Sequence, residues 1–215
     1  MDGLFVTGSN TDVGKTQIAC AIASRLVDNG TKVAPRKPVE SGCSIKDKKI
    51  FAHDANKLKL ASNSEEPLDT ICPYAFEQPL APIYEAAEQG IKLDLDKLTT
   101  ACKVKKDEYA VIEGAGGWLS PIGENTTNAA LAMALALPVV LVVHYKLGCI
   151  NQTMLTFEAI TSRKLKISKV YLNQTDKMPI SLQDYKYLQS SLEADVVMIP
   201  YIDGPEKYKR IKRLL

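Results

Sequence analysis

A glycine-rich turn near the start of the chain constrains the fold more than any other feature. The apolar run Leu4–Thr7 predicts a strand, the residues Gly8–Thr16 end in Gly-Lys-Thr, and Lys15–Asn29 has the apolar spacing of a helix. Such a turn directs backbone N–H groups and the helix N-terminus at one point, which suits phosphate oxygens. Five residues separate Gly8 from Gly14, one more than in the usual expression, so the motif depends on its strand and helix context.

The residues of this turn predict how a phosphate group is held. Gly14 lets the backbone approach the ligand closely. The Lys15 ammonium reaches the terminal phosphates, and the Thr16 hydroxyl is a ligand for Mg²⁺. A chance Gly-Lys-Thr at a helix start is the alternative, and the strand before it argues against that alternative. We therefore expect phosphate to bind here.

The rest of the chain alternates short apolar runs with helical patterns. Further strands are expected at 32–35, 109–112, 139–143, 170–172 and 196–199. Further helices are expected at 54–61, 79–89, 94–103, 128–137, 151–162 and 181–192. Strands that alternate with helices form right-handed βαβ units and a parallel sheet. The sequence thus predicts a single domain over residues 1–215 with a three-layer α/β/α, P-loop NTPase-like fold and a mainly parallel sheet, whose ligands bind beyond the carboxyl ends of the strands.

The charge of the chain is nearly balanced, and this disfavours nucleic acid as a partner. Lys and Arg number 27, Asp and Glu number 25, and the last nine residues alone hold five bases and no acid. A nucleic-acid-binding protein usually spreads basic charge over a face or a groove. We interpret the tail as a solvated helix end in which Tyr208, Ile211 and Leu215 dock at helical spacing.

Composition also disfavours a membrane protein, a secreted protein and a zinc site. The longest uncharged apolar run, 129–143, has 15 residues and contains Pro138, whereas a membrane span needs about 20. The five cysteines form no CxxC or other close pair, and only two histidines are present. Zinc needs a tight cluster of such ligands, and reduced thiols fit a cytoplasmic protein.

Two carboxylates are candidates for holding Mg²⁺ beside the phosphates. Glu113 directly follows the predicted strand 109–112, where a Walker-B acid stands. The glycines of 114–117 either let the backbone approach a ligand or only form a turn. Asp54 begins a predicted helix, so it is either a metal ligand or a plain N-cap. The sequence leaves both interpretations of Asp54 open.

Lys37 is a second lysine that the pattern brings near the phosphates. It lies at the end of the second predicted strand, which this topology puts beside the phosphate loop. A lysine there can stabilise charge on a transferring phosphoryl group, whereas the alternative is an ordinary surface lysine. Glu40 is ambiguous, because a glutamate at this place can simply pair with a neighbouring base.

Several segments taken together resemble one enzyme family. They are Gly8–Thr16, Lys37–Gly42, Glu113–Gly117 and Lys146–Asn151, and they occur in this order along the chain. In this combination and spacing the chain resembles the dethiobiotin synthetases, the ATP-dependent carboxylases of biotin synthesis. The resemblance runs from the first strand to about Glu206.

The resemblance implies a reaction and its partners. The substrate is 7,8-diaminopelargonate (7,8-diaminononanoate), with CO₂ and ATP as the other reactants and Mg²⁺ as the cofactor. One amine takes up CO₂ as a carbamate, ATP phosphorylates the carbamate to a carbamic–phosphoric anhydride, and the second amine closes the ureido ring and expels phosphate. Carbamate attack on the γ-phosphate brings anions together, so Lys15, Lys37 and Mg²⁺ are expected to supply converging positive charge.

The same resemblance implies a role for each matching residue. Lys37 matches the catalytic lysine, Lys15 and Thr11 are expected to assist it, and Thr11 and Ser41 lie near the diamine and carbamate. The metal ligands are Thr16, Asp54 and Glu113. The nucleotide contacts are Asp12, Val13, Gly14, Lys15, Thr16, Gln17, Asp54, Glu113, Gly114, Ala115, Gly116, Asn173, Gln174, Pro200, Tyr201, Ile202 and Glu206. Among these, Asn173 matches the adenine contact, and Gln174 stands where an acid is more usual.

The stretch Gly148, Cys149, Ile150 and Asn151 is expected to bind the carboxylate of the substrate. It opens a predicted helix, whose amides and positive dipole end attract an anion. In the family this stretch comes from the other subunit of a homodimer, so the resemblance implies an active site shared across the interface. The alternative is that Asn151 is a plain N-cap, and both can hold at once.

Two other functions stand as alternatives. One is an ATP-dependent ligase of the cobyrinic acid synthase type, although such enzymes usually carry a glutaminase domain and we expect none in this chain. The other is a regulatory ATPase whose output is partner binding. The loop lacks the additional early lysine of ATPases that position septa or partition chromosomes, and Lys37–Gly42 follows it, so we disfavour this function.

Overall fold

The computed structural model describes residues 1–177, 181–204 and 206–215. Its strands are β1 (Gly3–Gly8), β2 (Val33–Arg36), β3 (Val39–Glu40), β4 (Ser44–Lys46), β5 (Lys49–Phe51), β6 (Tyr74–Ala75), β7 (Tyr109–Glu113), β8 (Pro121–Gly123), β9 (Thr126–Thr127), β10 (Val139–His144), β11 (Ile167–Asn173) and β12 (Asp195–Ile199). Its helices are α1 (Lys15–Asp28), α2 (His53–Ala61), α3 (Leu68–Ile71), α4 (Pro82–Glu88), α5 (Leu95–Ala101), α6 (Asn128–Leu135), α7 (Cys149–Thr161), α8 (Leu182–Ser191) and α9 (Lys207–Ile211), with a 3₁₀ turn at Lys212–Leu214.

The largest sheet has six parallel strands in the order β12–β11–β10–β1–β7–β2. Strand β1 therefore lies between β10 and β7, near the middle of the sheet. Val139–Val143 are all buried, as expected for a parallel strand that is covered on both faces. This arrangement confirms the predicted α/β fold with a mainly parallel sheet.

Helices cover both faces of this sheet. Along β1, Phe5 belongs to one hydrophobic cluster and Leu4 and Val6 to another, because successive side chains of a strand point to opposite faces. The cluster that contains Phe5 includes residues of α5, α6, α7 and α8, whereas the other includes residues of α1, α2 and α9. The predicted three layers are therefore present.

The basic C-terminal segment packs against α1. Ile211 is buried, and Tyr208 and Leu215 pack against the same cluster, which confirms the predicted docking at helical spacing. The ammonium of Lys212 lies 2.7 Å from the carboxylate of Asp28 at the end of α1. Among the described residues, no helix has the length and hydropathy needed to cross a bilayer.

Four predicted helix ends are wrong by two or three residues, among them the end of α5, which is Ala101 rather than residue 103. Helix α4 begins at Pro82 rather than at residue 79, and Pro82 takes the first turn, where its missing N–H costs nothing. Helix α6 ends at Leu135 because Ala136 adopts a left-handed conformation with φ of 52°. Helix α7 begins at Cys149, directly after Gly148, whose φ is 90°. The sequence analysis also missed the short ladders β3–β6, β4–β5 and β8–β9.

Candidate active site

A cavity of about 630 Å³ lies at the carboxyl ends of the central strands. Ligands bind at this edge in open parallel sheets. The lining includes these predicted site residues: Thr11, Asp12, Gly14, Lys15, Thr16, Gln17, Lys37, Ser41, Asp54, Glu113, Ala115 and Gly116. It also includes residues to which the sequence analysis gave no site role: Glu40, Lys57, Pro79, Leu80, Ala81, Pro82, Ser120 and Pro121.

The predicted phosphate loop joins β1 to α1, and Gly14 is its last residue before the helix. Gly14 has a φ of 93°, and a Cβ added there would overlap the side-chain amide of Asn173. The same amide donates a hydrogen bond to the carbonyl of Val13 at 2.9 Å. Asn173 therefore tethers the loop, a role that the sequence analysis did not assign to it.

The Lys15 ammonium folds back over the loop and donates to the carbonyl of Asn10 at 3.1 Å. Burial and, after it, the nearby charge of Lys37 lower the pKa of this lysine to about 8. A phosphate anion bound beside Lys15 would favour the charged form of the lysine and so offset the effects of burial and of Lys37.

Lys37 and Glu113 form a buried ion pair at the centre of the cavity. The Lys37 Nζ lies 2.9 Å from Glu113 Oε1 and also donates to the carbonyl of Gly114 at 3.2 Å. Burial by itself lowers the pKa of Lys37, but the carboxylates of Glu113 and Asp54 outweigh it and hold that pKa above its ordinary value. Lys37 is thus a charged, buried group and not the surface lysine of the alternative interpretation.

The position of β2, the strand that precedes Lys37, differs from the prediction. Strand β2 pairs with β7 and not with β1, so β7 lies between the end of β2 and the phosphate loop. The expectation that these two strand ends are neighbours is therefore wrong. The long lysine side chain spans the gap, because its ammonium meets the Glu113 carboxylate at the end of the intervening strand.

Asp54 is the second residue of α2 and not its N-cap. The N-cap position is Ala52, and the amides of Asp54 and Ala55 donate to the two carboxylate oxygens of Glu40 instead. The N-cap interpretation of Asp54 is therefore wrong, because another segment supplies the cap. Its own carboxylate is left to line the cavity, where Lys57 donates to it at 2.9 Å.

Thr16, Asp54 and Glu113 present oxygen atoms to one region of the cavity. The Thr16 hydroxyl donates to Glu113 Oε1 at 2.8 Å and also lies close to the Asp54 carboxylate. Burial would raise the pKa of Asp54, but the charge of Lys37 and the hydrogen bond from Lys57 hold it below its ordinary value. Within the described part of the chain, the buried Glu113 Oε2 has no hydrogen-bond partner. Hard oxygen donors with one unused carboxylate oxygen fit a Mg²⁺ ion.

The glycines after Glu113 form a turn held by Asn128. A Cβ on Gly114 would meet the Asn128 side chain at 2.5 Å, and Gly116 has a φ of 73°. The Asn128 amide donates to the carbonyls of Ala115 and Gly117 at 2.6 and 2.7 Å. Asn128 was not among the predicted site residues, because its only signal in the sequence is an asparagine at the start of a helix.

A smaller cavity of about 60 Å³ adjoins the first at Gly14 and Gln17, which line both. Its other lining residues are Asn173, Gln174, Thr175, Pro200, Ile202, Lys207 and Ile211. The predicted base contacts Asn173, Gln174, Pro200 and Ile202 are thus brought together. Tyr201 lies beside them, with its amide donating to Gln174 at 3.2 Å, while Glu206 is the residue before α9 and pairs with Lys209.

The stretch Gly148–Asn151 lies apart from both cavities. Gly148 is the N-cap of α7, Cys149 is buried, and Asn151 is an exposed residue of the first turn. The interpretation of Asn151 as a plain N-cap is wrong, because the helix begins two residues earlier. None of these residues lines the cavities described above.

Solved structures with a similar fold are nucleotide-binding proteins of low sequence identity. The septum site-determining protein MinD of Pyrococcus horikoshii, complexed with Mg-ADP, has a TM-score of 0.57 at 17% identity and covers 94% of this chain and 82% of its own. A ParA family ATPase of Chlorobium tepidum has a TM-score of 0.55 at 12% identity and covers 94% of this chain and 84% of its own. These similarities establish the P-loop fold alone.

Sequence comparisons give the family. A family model described as an AAA domain matches residues 2–204. The ATP-dependent dethiobiotin synthetase of Ruthia magnifica is 37% identical over 100% of this chain and 99% of its own length. Those of Vesicomyosocius okutanii and Anaeromyxobacter dehalogenans are 40% and 41% identical, each over 100% of this chain and 97% and 96% of their own lengths. The chain belongs to the ATP-dependent dethiobiotin synthetase family.

Proposed function

We propose that the chain forms dethiobiotin from 7,8-diaminopelargonate and CO₂ with the conversion of ATP to ADP and phosphate. The observation that carries the proposal is the convergence of Lys15 and Lys37 on one cavity at the phosphate loop, in a chain of this family. Two cations at this place suit a reaction in which an anionic carbamate approaches a triphosphate.

The bonds change in three steps. One amine nitrogen of the substrate attacks CO₂ and loses a proton, which gives a carbamate. A carbamate oxygen then attacks the γ-phosphorus, and the bond to the ADP oxygen breaks. The second amine attacks the carbonyl carbon of the resulting anhydride and loses a proton, and phosphate leaves as the ureido ring closes.

The cavity residues have distinct roles in this reaction. Lys15 holds the terminal phosphates, and Lys37 stabilises the charge that builds up on the transferring phosphoryl group. Thr11 and Ser41 contact the diamine and carbamate. The Ser41 hydroxyl is buried and has no hydrogen-bond partner among the described residues, so it is available to a ligand.

Thr16, Asp54 and Glu113 are the residues that would hold Mg²⁺. When bound, the ion supplies positive charge to the β- and γ-phosphate oxygens. The Lys37–Glu113 pair keeps one carboxylate oxygen occupied and leaves the other for the ion.

The rest of the nucleotide lies along the groove made by the two adjoining cavities. The amides of Asp12–Gln17 surround the phosphates, and Gly114, Ala115 and Gly116 approach them from the end of β7. The base lies against the smaller cavity, whose lining includes Asn173, Gln174, Pro200 and Ile202, and Tyr201 and Glu206 come close to it.

We also propose that the chain acts as a homodimer in the cytoplasm. Leu147, just before α7, and Leu155, in the middle of it, are 98% and 60% exposed, and exposed apolar side chains suit an interface. In a symmetric dimer the Gly148–Asn151 stretch of a second copy would reach the cavity and bind the substrate carboxylate. The five cysteines are free, as expected in a reducing compartment.

The decisive experiment measures phosphate release from Mg-ATP with and without 7,8-diaminopelargonate and bicarbonate. The proposal predicts release only when both are present, with dethiobiotin identified by mass. Release that ignores the diamine would leave a P-loop ATPase and reject the proposed substrate.

A further inference from the structure

The N-terminus of α2 is capped by a side chain from a distant segment. The residue before the helix, Ala52, makes no side-chain capping bond. Glu40 Oε1 accepts the amide N–H of Asp54, and Glu40 Oε2 accepts that of Ala55, each at 2.9 Å. A carboxylate here satisfies two of the free amides at the helix start and complements the helix dipole.

The Glu40 backbone is itself fixed. Val39–Glu40 pairs in parallel with Tyr74–Ala75, and the carbonyl of Glu40 accepts the amide N–H of Phe76 at 2.8 Å. The residue is only 5% exposed. Glu40 therefore offers α2 an attachment point whose position is set by the separate β3–β6 ladder.

Glu40 lines the cavity, but its two carboxylate oxygens already have partners. The Glu40 carboxylate is thus held against the first turn of α2. That turn carries Asp54, whose carboxylate faces the cavity beside Thr16.

We infer that Glu40 is a positioning residue that fixes the Asp54 carboxylate for binding a divalent cation. This inference rests on the metal-binding role proposed above for Asp54. Without the cap, the first turn of α2 frays and the carboxylate loses its fixed place opposite Glu113. Loss of a group that orients a metal ligand typically weakens metal binding by about 10-fold or more.

The test is a double-mutant cycle on the full chain with Mn²⁺ as the probe. Free Mn²⁺ is followed by electron paramagnetic resonance in the presence of ADP, so the readout needs no turnover. Glu40→Ala is expected to weaken Mn²⁺ binding by about 10-fold. In the Asp54→Ala background the same substitution is expected to change the affinity little, because Glu40 then has no carboxylate to position.

The matched control removes a helix cap elsewhere. Asp94 caps α5 by accepting the amide N–H of Lys97 at 3.0 Å, so Asp94→Ala costs stability without altering Mn²⁺ affinity. If Glu40→Ala does not fold, Glu40→Gln serves in the cycle: it keeps one acceptor oxygen, and a smaller weakening is expected.

Two results would overturn the inference. One is unchanged Mn²⁺ affinity in the Glu40 variant. The other is an equal loss with and without the Asp54 carboxylate, which would mean that the charge of Glu40 acts directly. The proposed reaction is tested by a different measurement: if it is wrong, the wild-type protein forms no dethiobiotin in the turnover assay, whatever the Mn²⁺ affinities are.

Discussion

Lys37 and Glu113 come from the ends of two adjacent strands and meet 2.9 Å apart, with only 4% and 1% of their side chains exposed. The same Glu113 oxygen also accepts the hydroxyl of Thr16 from the phosphate loop. The Glu113 carboxylate therefore links the Lys37 ammonium, which follows β2, to the Thr16 hydroxyl at the start of α1. Change at either end of the pair disturbs both charge and packing at the cavity.

Replacing Lys37 by Ala is expected to lower turnover by about 100-fold or more, because a group that stabilises transition-state charge is lost. It also leaves Glu113 buried without its cation, which costs about 3–5 kcal/mol of unfolding free energy. Steady-state kinetics and denaturant unfolding measure the two effects.

The control for this prediction is Lys32→Ala. The half-exposed Lys32 side chain pairs with Asp107 at 3.0 Å and with Glu108 at 3.2 Å, outside the cavity lining, and ion pairs of exposed side chains contribute little to stability. Near-normal turnover of the Lys37 variant, with the Lys32 variant also normal, would remove Lys37 from the catalytic machinery.

Nucleotide affinity in the absence of metal is expected to fall as the pH rises above about 8. The reason is that burial lowers the pKa of Lys15 to about 8, so the free protein loses this cation as the pH passes that value. Lys37 stays charged over the same range because its pKa is raised. Calorimetric titration with ADP between pH 7 and pH 9.5, without metal, tests the profile.

Lys15→Met serves as the control for the pH profile. It removes the titrating group, so its affinity should be weaker throughout and should no longer fall near pH 8. A flat profile in the wild type would contradict the prediction.

Gly14→Ala is expected to weaken ADP binding and to destabilise the fold by about 1–3 kcal/mol, because alanine would have to adopt the left-handed backbone of Gly14 and its Cβ would displace the Asn173 amide. Gly30 offers a matched control, since its φ is 82° and a Cβ there meets nothing within 4 Å. Gly30→Ala should cost stability but leave ADP affinity intact. Equal ADP affinity in the two variants would show that the contact with Asn173 does not hold the loop.

Asn151→Ala is expected to raise the KM for the diamine without changing ATP binding. If the site is shared across a symmetric dimer, Lys37 and Asn151 of one site come from different copies. At a diamine concentration too low for either variant alone to turn over, re-formed equal mixtures of Lys37→Ala and Asn151→Ala chains should then recover about a quarter of wild-type turnover, because half the dimers contain one intact site of two. Size-exclusion chromatography with light scattering gives the oligomeric state.

If the two variants are shown to exchange chains and the mixture still recovers no turnover, the shared site is contradicted. A fully active monomer would do so as well. Unchanged diamine affinity in the Asn151 variant would remove that residue from the substrate site.

Much of the cavity could be predicted from local sequence. Gly8–Thr16 predicts its own conformation, because its function depends on consecutive backbone amides at a strand–helix junction. Glu113 is predictable for a similar reason, since a charged residue directly after a buried strand must lie at the sheet edge. The place of Lys37 after the second strand made it a candidate, but the choice between a catalytic and a surface lysine needed the resemblance to a family.

The roles that the sequence did not reveal depend on hydrogen bonds between different segments of the chain. Asn128 holds the turn after Glu113, and Asn173 holds the carbonyl of Val13, 160 positions earlier in the chain. Glu40 caps a helix whose own N-cap position is alanine. No local pattern marks such groups, because their hydrogen-bond partners are chosen by the packing of the sheet.

The sequence by itself therefore determined the layered fold, the phosphate loop and the acid at the end of β7, since periodicity and backbone chemistry act over a few residues. Only the tertiary structure decided that β7 stands between β1 and β2, that Lys37 crosses to Glu113, and that Glu40 rather than Asp54 caps α2. The physical reason is that strand order and buried polar pairing depend on which distant segments the folded chain brings into contact.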